Sequence, residues 1–238
     1  MAFEDILYEK RDGVAAITIN RPKVLNAFRA KTVEEMLEAV RDADEDDTVG
    51  VVVLAGAGDR AFCAGGDNSA RNEGAGSGGG YGGRGLVGLP LEEVHAAIRD
   101  SRKPVIAKVQ GYAIGGGNVL ATVCDLTIAS DKAVFGQIGP RVGSVDPGWG
   151  TAFLARHVGD KRAREIWFLC RRYSAAEAFQ MGLVNKVVPP EQLDAEIDQW
   201  CREILALSPT AIAICMSCSW KSGTPSVRSS TGSSNGCE

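Results

Sequence analysis

Two glycine-rich segments contain backbone groups that could bind a developing negative charge. AFCAGGD (61–67) and GYAIGGGN (111–118) each follow a predicted strand, and the second opens a predicted helix. Backbone N–H groups at a helix N-terminus lack partners within the helix and lie at the positive end of its dipole, and glycines let a ligand oxygen approach them. One N–H donor from each segment would stabilise a thioester carbonyl as it becomes an enolate, by about 3 kcal/mol per donor. Either segment alone is more often a tight turn.

An acidic turn lies further along the chain, in VFGQIGPRVGSVDPGWG (134–150). Its one carboxylate is Asp146, and Ser144 stands two residues before it. Asp and Gly are ordinary turn residues, so a solvent-facing turn explains this stretch without any chemistry. Alternatively, the glycines let the backbone approach a ligand, and Ser144 and Asp146 point towards that ligand. The local sequence leaves both interpretations open.

Composition restricts the class of protein. The chain has 238 residues, of which 45% are hydrophobic, which is enough for one domain with a substantial core. The net charge is −4 with Lys and Arg scattered, so we expect no nucleic-acid partner and no membrane partner. The acidic start MAFEDILYEK is unlike a signal peptide, and the protein is predicted to be cytoplasmic. The seven cysteines are irregularly spaced, and the lone CMSC (215–218) has no second pair, so we expect reduced thiols and no metal.

The hydrophobic pattern predicts an α/β architecture. VAAITI (14–19) and VGVVVLAG (49–56) are typical of buried strands, and the helix between them is predicted to begin with a capping box of Thr32 and Glu35. Further strands are predicted at 104–111 and 125–130, with a helix between them and a mainly helical second half that includes a second capping box, SAAE (174–177). A G-x-G-x-x-G at 74–79 follows no strand, which argues against a dinucleotide site.

Four segments in this order resemble the crotonase (enoyl-CoA hydratase/isomerase) family: INRPKVLNAF, AFCAGGD, GYAIGGGNVLATVCDLTIA and FGQIGPRVGSVDPGWG. The resemblance covers residues 1 to about 214. It implies a spiral of β-β-α units with a C-terminal helical region, assembly into homotrimers or hexamers, and acyl-CoA thioester substrates. No cofactor is expected, since CoA is part of the substrate. The resemblance places the oxyanion donors on the N–H groups of Gly66 and Gly116. Predicted substrate-binding residues are Ala64, Asp67 and Gly139 in these motifs, Tyr81 and Arg84 on the glycine-rich loop, and Arg29, for which an ordinary surface arginine is nearly as good an explanation.

The acidic positions depart from those of the hydratases. Where enoyl-CoA hydratases have two glutamates, this sequence has Val119 and Gly139. Hydration of a double bond by paired carboxylates is therefore not expected. Asp146 is then predicted to be the carboxylate available for acid–base work, with Ser144 holding it.

Two relatives within this family share the GSxDxGWG pattern and the segment KRAREIWFLCRRYSAAEAFQMGLVN (161–185). One of these relatives is 2-ketocyclohexanecarboxyl-CoA hydrolase, which opens a ring by retro-Claisen hydrolysis. The other is 1,4-dihydroxy-2-naphthoyl-CoA synthase, which closes a ring by a Claisen condensation. The SVDPG variant favours ring opening. Both reactions pass through a thioester enolate and need the same oxyanion donors.

The C-terminal sequence is atypical of this family. We expect a crotonase core over residues 1–190, a C-terminal helical region over 191–214 and a disordered Ser/Gly-rich tail over 215–238, which would weaken the oligomer. No tyrosine follows Tyr173, whereas the resembling enzymes carry an active-site tyrosine near their C-terminus. A catalytically impaired CoA-binding module is therefore an alternative to an active enzyme.

Overall fold

The structure is a computed structural model that describes residues 3–67, 90–146 and 148–218. The glycine-rich segment 74–85, with the predicted substrate-binding residues Tyr81 and Arg84, lies outside the described residues. Most of the predicted tail, 219–238, lies outside them as well.

The first half of the chain repeats a unit of two strands and a helix. The first three units end in the helices α1, α2 and α3, and a fourth pair of strands follows. Their bounds are β1 Ile6–Arg11, β2 Val14–Ile19, α1 Ala30–Glu45, β3 Val51–Gly56, β4 Ala61–Cys63, α2 Leu91–Asp100, β5 Val105–Val109, β6 Tyr112–Ile114, α3 Gly116–Val123, β7 Leu126–Ser130 and β8 Val134–Gly136. The expected spiral of β-β-α units is therefore present, and the predicted strand at 14–19 matches β2 residue for residue.

The second half is mainly helical, as the sequence predicts. Its elements are α4 Gly139–Val142, a π-helical turn Trp149–Phe153, α5 Leu154–Val158, α6 Asp160–Leu169, β9 Tyr173–Ser174, α7 Ala175–Gln180, β10 Lys186–Val188, α8 Leu193–Leu205 and α9 Pro209–Cys218. The last helix extends past residue 214, so the first four residues of the predicted tail are helical. No helix in the described ranges has the length and apolar character needed to span a membrane.

The strands form two sheets, and the smaller one positions the candidate site. The larger sheet has the order β1-β2-β3-β5-β7-β10, and the smaller one has the order β4-β6-β8-β9. Strand β4 pairs parallel with β6, and β6 pairs parallel with β8. The carboxyl ends of parallel strands meet at one edge of a sheet. The segments that follow these three strands, beginning at Ala64, Gly115 and Gln137, therefore come together.

The start of α1 differs from the predicted capping box. The helix begins at Ala30, so Thr32 is its third residue and its hydroxyl accepts the backbone N–H of Arg29 at 3.1 Å. Glu35 is buried, and its two oxygens accept the backbone N–H groups of Glu4 and Asp5 at 2.9 and 2.8 Å. The carboxylate thus ties the N-terminal segment to the helix because those N–H groups have no strand partner there.

The second predicted capping box is confirmed. Ser174 is the N-cap of α7 and accepts the backbone N–H of Glu177 at 3.3 Å, while the Glu177 carboxylate accepts the backbone N–H of Ser174 at 2.8 Å. Each side chain satisfies a helix-end N–H group that the helix itself leaves unpaired. The cysteines for which the structure gives a state are free thiols, as expected: Cys63, Cys124, Cys170, Cys201 and Cys215.

Candidate active site

The first glycine loop is fixed by a short pairing with Phe28. The Phe28 N–H donates to Gly65 C=O at 2.8 Å, and the Asp67 N–H donates to Phe28 C=O at 2.9 Å. Backbone groups of successive residues in an extended segment point to opposite sides. Since the Gly65 C=O and the Asp67 N–H point to Phe28, the N–H of Gly66 between them points away from Phe28.

The second glycine loop packs directly against the first. Gly116 is the first residue of α3, so its N–H precedes the hydrogen bonds of the helix, the first of which runs from Val119 N–H to Gly115 C=O at 3.0 Å. A Cβ on Gly65 would lie 3.2 Å from the Gly116 nitrogen, and a Cβ on Gly116 would lie 2.7 Å from the Phe28 ring. This close packing requires glycine at both positions. It brings the two predicted oxyanion donors, Gly66 and Gly116, to neighbouring loops.

Asp146 packs near helix α3, which begins at Gly116. One of its oxygens, Oδ1, accepts the backbone N–H of Gly150 at 2.7 Å. A Cβ built on Gly150 would lie 2.9 Å from both Asp146 Cβ and Val119 Cγ2, so Asp146 and Val119 border the same glycine. Val119 follows Gly116 by three residues and shares its helix face. Asp146 therefore packs near the helix that begins with the predicted donor on Gly116.

Ser144 does not hold the carboxylate as predicted. Within the described part of the chain, the contacts of Asp146 run to Gly150 and His95, and the bond given for Ser144 runs from its N–H to Gly139 C=O at 2.9 Å. A turn of this length folds back on itself, so Ser144 closes α4 while the hydroxyl is left without a bond to Asp146. The backbone N–H of Gly150 takes the role predicted for Ser144.

Gly139 cannot accept a larger residue. A Cβ there would lie 2.4 Å from Ser144 C=O and 2.7 Å from Trp167 Cζ3, both of which are in a packed region where Trp167 is 7% exposed. The Trp167 indole N–H also donates to Gly150 C=O. The second position at which hydratases have a glutamate is thus closed to any side chain.

The structure brings two further titratable groups to Asp146. Glu92 and His95 lie in the first two turns of α2, and the ligand-type atoms of these two residues and Asp146 all lie within 4.8 Å of one another. Glu92 Oε2 accepts the indole N–H of Trp149 at 3.0 Å, and His95 Nδ1 is 3.8 Å from Asp146 Oδ2. Sequence reasoning missed both residues because about fifty positions separate them from Asp146 and no motif contains them.

His95 is fully buried, and neither ring nitrogen has a hydrogen-bond partner within the described residues. Burial lowers the pKa of His95 to about 4, although the charge of Asp146 opposes this shift. The imidazole is therefore neutral at pH 7. Burial raises the pKa of Glu92, and the charge of Asp146 raises it further, while the hydrogen bond from Trp149 has the opposite effect.

These three residues also form the set that could hold a metal ion in the part of the chain that is described. Two carboxylates and one imidazole are ligands for zinc and similar ions, with Zn–N and Zn–O bonds of about 2.0–2.2 Å. Tetrahedral bonds of that length separate ligand atoms by roughly 3.3 Å, whereas His95 Nδ1 and Asp146 Oδ2 are 3.8 Å apart. The set is wider than such a site, and the absence of a metal stays a prediction.

The remaining predicted binding residues are engaged within the protein. Arg29 donates to Asp5 through Nε at 2.8 Å and to Glu4 through Nη2 at 2.6 Å, and the hydrogen bond to Asp5 raises the pKa of the guanidinium. The Asp67 carboxylate is buried and pairs with Arg21 at 2.9 Å. These contacts hold the loops near the N-terminus together. Ala64 donates its N–H to Leu25 C=O at 3.1 Å, at the start of the first glycine loop. Their roles in substrate binding stay predictions.

Comparison with known proteins bears on this geometry. A family model described as Enoyl-CoA hydratase/isomerase matches residues 9–226, which extends past the sequence resemblance ending near residue 214. An enoyl-CoA hydratase/carnithine racemase from Magnetospirillum magneticum has a TM-score of 0.82 at 28% identity, with 90% of this chain and 79% of that chain covered.

Two further solved structures are similar at higher identity. An enoyl-CoA hydratase from Mycobacterium avium subsp. paratuberculosis K-10 has a TM-score of 0.80 at 32% identity, covering 91% of this chain and 84% of that one. A monofunctional enoyl CoA isomerase from M. smegmatis has a TM-score of 0.74 at 32% identity, covering 89% and 90%. The family match over most of the chain agrees with the β-β-α repeat and the paired glycine loops, and the chain belongs to the crotonase, or enoyl-CoA hydratase/isomerase, family.

Proposed function

We propose that this crotonase-family acyl-CoA enzyme opens the ring of 2-ketocyclohexanecarboxyl-CoA by hydrolytic retro-Claisen cleavage to pimeloyl-CoA. One observation carries the proposal: Asp146 and Val119 border the same glycine, Gly150, while the two hydratase glutamate positions are Val119 and a Gly139 that no side chain can occupy. A site with this arrangement has an enolate-stabilising pair of N–H groups and a carboxylate base, but lacks the glutamate pair that hydrates a double bond.

The reaction would begin with the substrate thioester oxygen between the N–H groups of Gly66 and Gly116. Asp146 takes a proton from water as the water oxygen attacks the ring ketone. The bond between the ketone carbon and the thioester α-carbon then breaks, and its electron pair becomes the thioester enolate. Preorganised N–H donors stabilise that enolate by about 3 kcal/mol each. Protonation of the α-carbon completes the open-chain product.

Ring closure by a Claisen condensation, as in 1,4-dihydroxy-2-naphthoyl-CoA synthase, would use the same groups. In that direction a base removes a proton from the thioester α-carbon, and the enolate attacks a second carbonyl. The Asp146 carboxylate and the two N–H donors suit both directions, so the substrate decides between them. The predicted trimer or hexamer and the cytoplasmic location stay predictions alongside this proposal.

The test compares the purified chain and Asp146→Asn on three substrates. We expect turnover of 2-ketocyclohexanecarboxyl-CoA, little turnover of o-succinylbenzoyl-CoA, and little hydration of crotonyl-CoA. The asparagine keeps the acceptor for the Gly150 N–H but cannot take a proton, so turnover should fall at least about 100-fold. Binding of a non-reactive CoA ester, measured by calorimetry, should change little.

Asp160→Asn is the matched control because that side chain is 70% exposed on α6, away from the glycine loops. It should retain normal turnover. Faster turnover of o-succinylbenzoyl-CoA would establish ring closure instead, and efficient crotonyl-CoA hydration would refute both reactions. Tight CoA-ester binding without turnover on any substrate would identify the chain as an impaired binding module.

A further inference from the structure

We propose that Glu92 is a second proton carrier of this site and delivers to the substrate the proton that Asp146 cannot supply while it acts as base. The proposal rests on the proposed function, since it assigns the acid of that reaction. It is carried by the position of Glu92 on α2, where an oxygen of its carboxylate lies within 4.8 Å of an oxygen of the Asp146 carboxylate.

The hydrogen bonds of the two carboxylates leave one oxygen of each available. Asp146 uses Oδ1 to accept the Gly150 N–H, and Glu92 uses Oε2 to accept the Trp149 indole N–H. Glu92 is an exposed residue, whereas the Asp146 side chain is only 14% exposed. Glu92 Oε1 is therefore available to contact a bound ligand. The indole of Trp149, 5% exposed, is a rigid support that fixes the direction of this oxygen.

The charges around the pair favour one proton shared between them. The groups that face Glu92 are Asp146 from the acidic turn, Trp149 from the π-helical turn, and Glu93 on its own helix. His95, which lies beside both carboxylates, is neutral at pH 7 because it is buried. No cation faces the pair from the described elements. Two carboxylates this close to each other hold one proton more readily than two charges.

The surroundings of Glu92 suit it to carry the proton. Burial and the charge of Asp146 both raise the pKa of Glu92. A carboxyl whose pKa is raised in this way can act as an acid beside a second carboxylate that acts as the base. The backbone N–H of Gly150, 2.7 Å from Oδ1, holds Asp146 in place for that second role.

The protons balance over one turnover. Ionised Asp146 takes a proton from the attacking water, and the C–C bond breaks to give a carboxylic acid and the thioester enolate. Neutral Glu92 gives its proton to the α-carbon of the enolate. The proton on Asp146 then passes to ionised Glu92 through one water molecule, since oxygens within 4.8 Å of each other can be bridged in this way. The starting states of both residues are restored, and the new carboxylic acid loses its proton to solvent after release.

The test compares Glu92→Gln with the wild type. EDTA is present in both assays, so that no metal ion binds to Glu92, His95 and Asp146. Glutamine keeps the acceptor for the Trp149 indole N–H and has no proton to give. We expect turnover of 2-ketocyclohexanecarboxyl-CoA to fall about 100-fold at neutral pH, with KM little changed. The matched control is Glu34→Gln, because Glu34 is an exposed glutamate of α1 and is not among the charges that act on Glu92.

The pH profile distinguishes a proton carrier from a structural residue. In the wild type, kcat/KM should fall at alkaline pH as Glu92 loses its proton. Glu92→Gln should lose this alkaline fall. A Glu92→Gln enzyme with the wild-type profile and a kcat within threefold of normal overturns the proposal and leaves the proposed function intact.

A second measurement does not depend on turnover. The ¹³C signal of the Glu92 carboxyl, assigned by its absence in Glu92→Gln, can be titrated in the free protein. Its apparent pKa should drop in Asp146→Asn, because the neighbouring charge is gone. If the wild-type chain opens no ring, that result refutes the proposed function. An unchanged titration of Glu92 in Asp146→Asn refutes the pairing of the two carboxylates, whatever the turnover.

Discussion

Gly150 offers a direct way to move the proposed base without changing its chemistry. A Cβ added at this position would lie 2.9 Å from Asp146 Cβ, 2.9 Å from Val119 Cγ2 and 3.1 Å from Trp167 Cζ2. Ordinary carbon contacts in proteins are about 3.5–4.0 Å. Gly150→Ala must therefore push its neighbours apart by roughly half an ångström, and Val119 and Trp167 are buried in the core. Asp146, on a turn, is the neighbour that can move.

The size of the effect follows from these contacts. Overpacking in a rigid region costs about 1–3 kcal/mol, and replacing glycine offsets about 0.4–1 kcal/mol of that through the unfolded chain. We expect a net loss of up to about 2 kcal/mol in the free energy of unfolding. A 1 Å misplacement of a reacting group can cost about 100-fold in rate, so kcat should fall about 10- to 100-fold. KM should change little, because the glycine loops are untouched.

The assay measures kcat and KM for 2-ketocyclohexanecarboxyl-CoA and the denaturant midpoint of both variants. Gly148→Ala is the control, since a Cβ there meets nothing within 4 Å and its φ of −113° suits alanine. That variant should be as stable as the wild type or slightly more so, with normal kcat. A Gly150→Ala enzyme that keeps wild-type kcat would refute the idea that this packing positions Asp146.

Two further predictions concern the pH dependence of stability and the oxyanion donors. Burial lowers the pKa of His95 to about 4. The contribution of the neutral imidazole to the free energy of unfolding is therefore complete above the unfolded pKa of about 6.5, and it is lost as pH falls towards 4. The free energy of unfolding should drop by up to about 3 kcal/mol over that window, and a slope that does not flatten in His95→Asn would assign the acid sensitivity to other groups. Gly116→Ala should lower kcat about 100-fold, since its Cβ would lie 2.7 Å from the buried Phe28 ring and separate the donor loops; normal turnover in steady-state assays would contradict the assignment of these donors.

Local sequence patterns were sufficient for the central strands and for the helices with a clear apolar stripe or capping pair. The apolar run of β2 and the capping pair Ser174 and Glu177 act over a few residues, so their bounds could be predicted without knowing the rest of the chain. The start of α1 could not, because Glu35 accepts backbone N–H groups near the N-terminus about thirty residues away, and the Thr32 hydroxyl donates to the carboxylate of Asp5. A capping pattern and a long-range anchor use the same residue types, and only the tertiary contacts distinguish them.

The candidate site likewise has features that the sequence indicates and contacts that only the fold decides. The order and spacing of the glycine motifs in the sequence determined the family and marked Gly66, Gly116 and Asp146, since each lies in a segment long enough to be specific. That Gly150 and not Ser144 holds Asp146 was decided by the packing of the turn against Val119. The proximity of Glu92, on α2, to Asp146 was decided only by the fold. Parallel pairing of β4, β6 and β8 brings the ends of distant segments to one edge of the sheet. No local sequence pattern predicts which helix packs beside those ends.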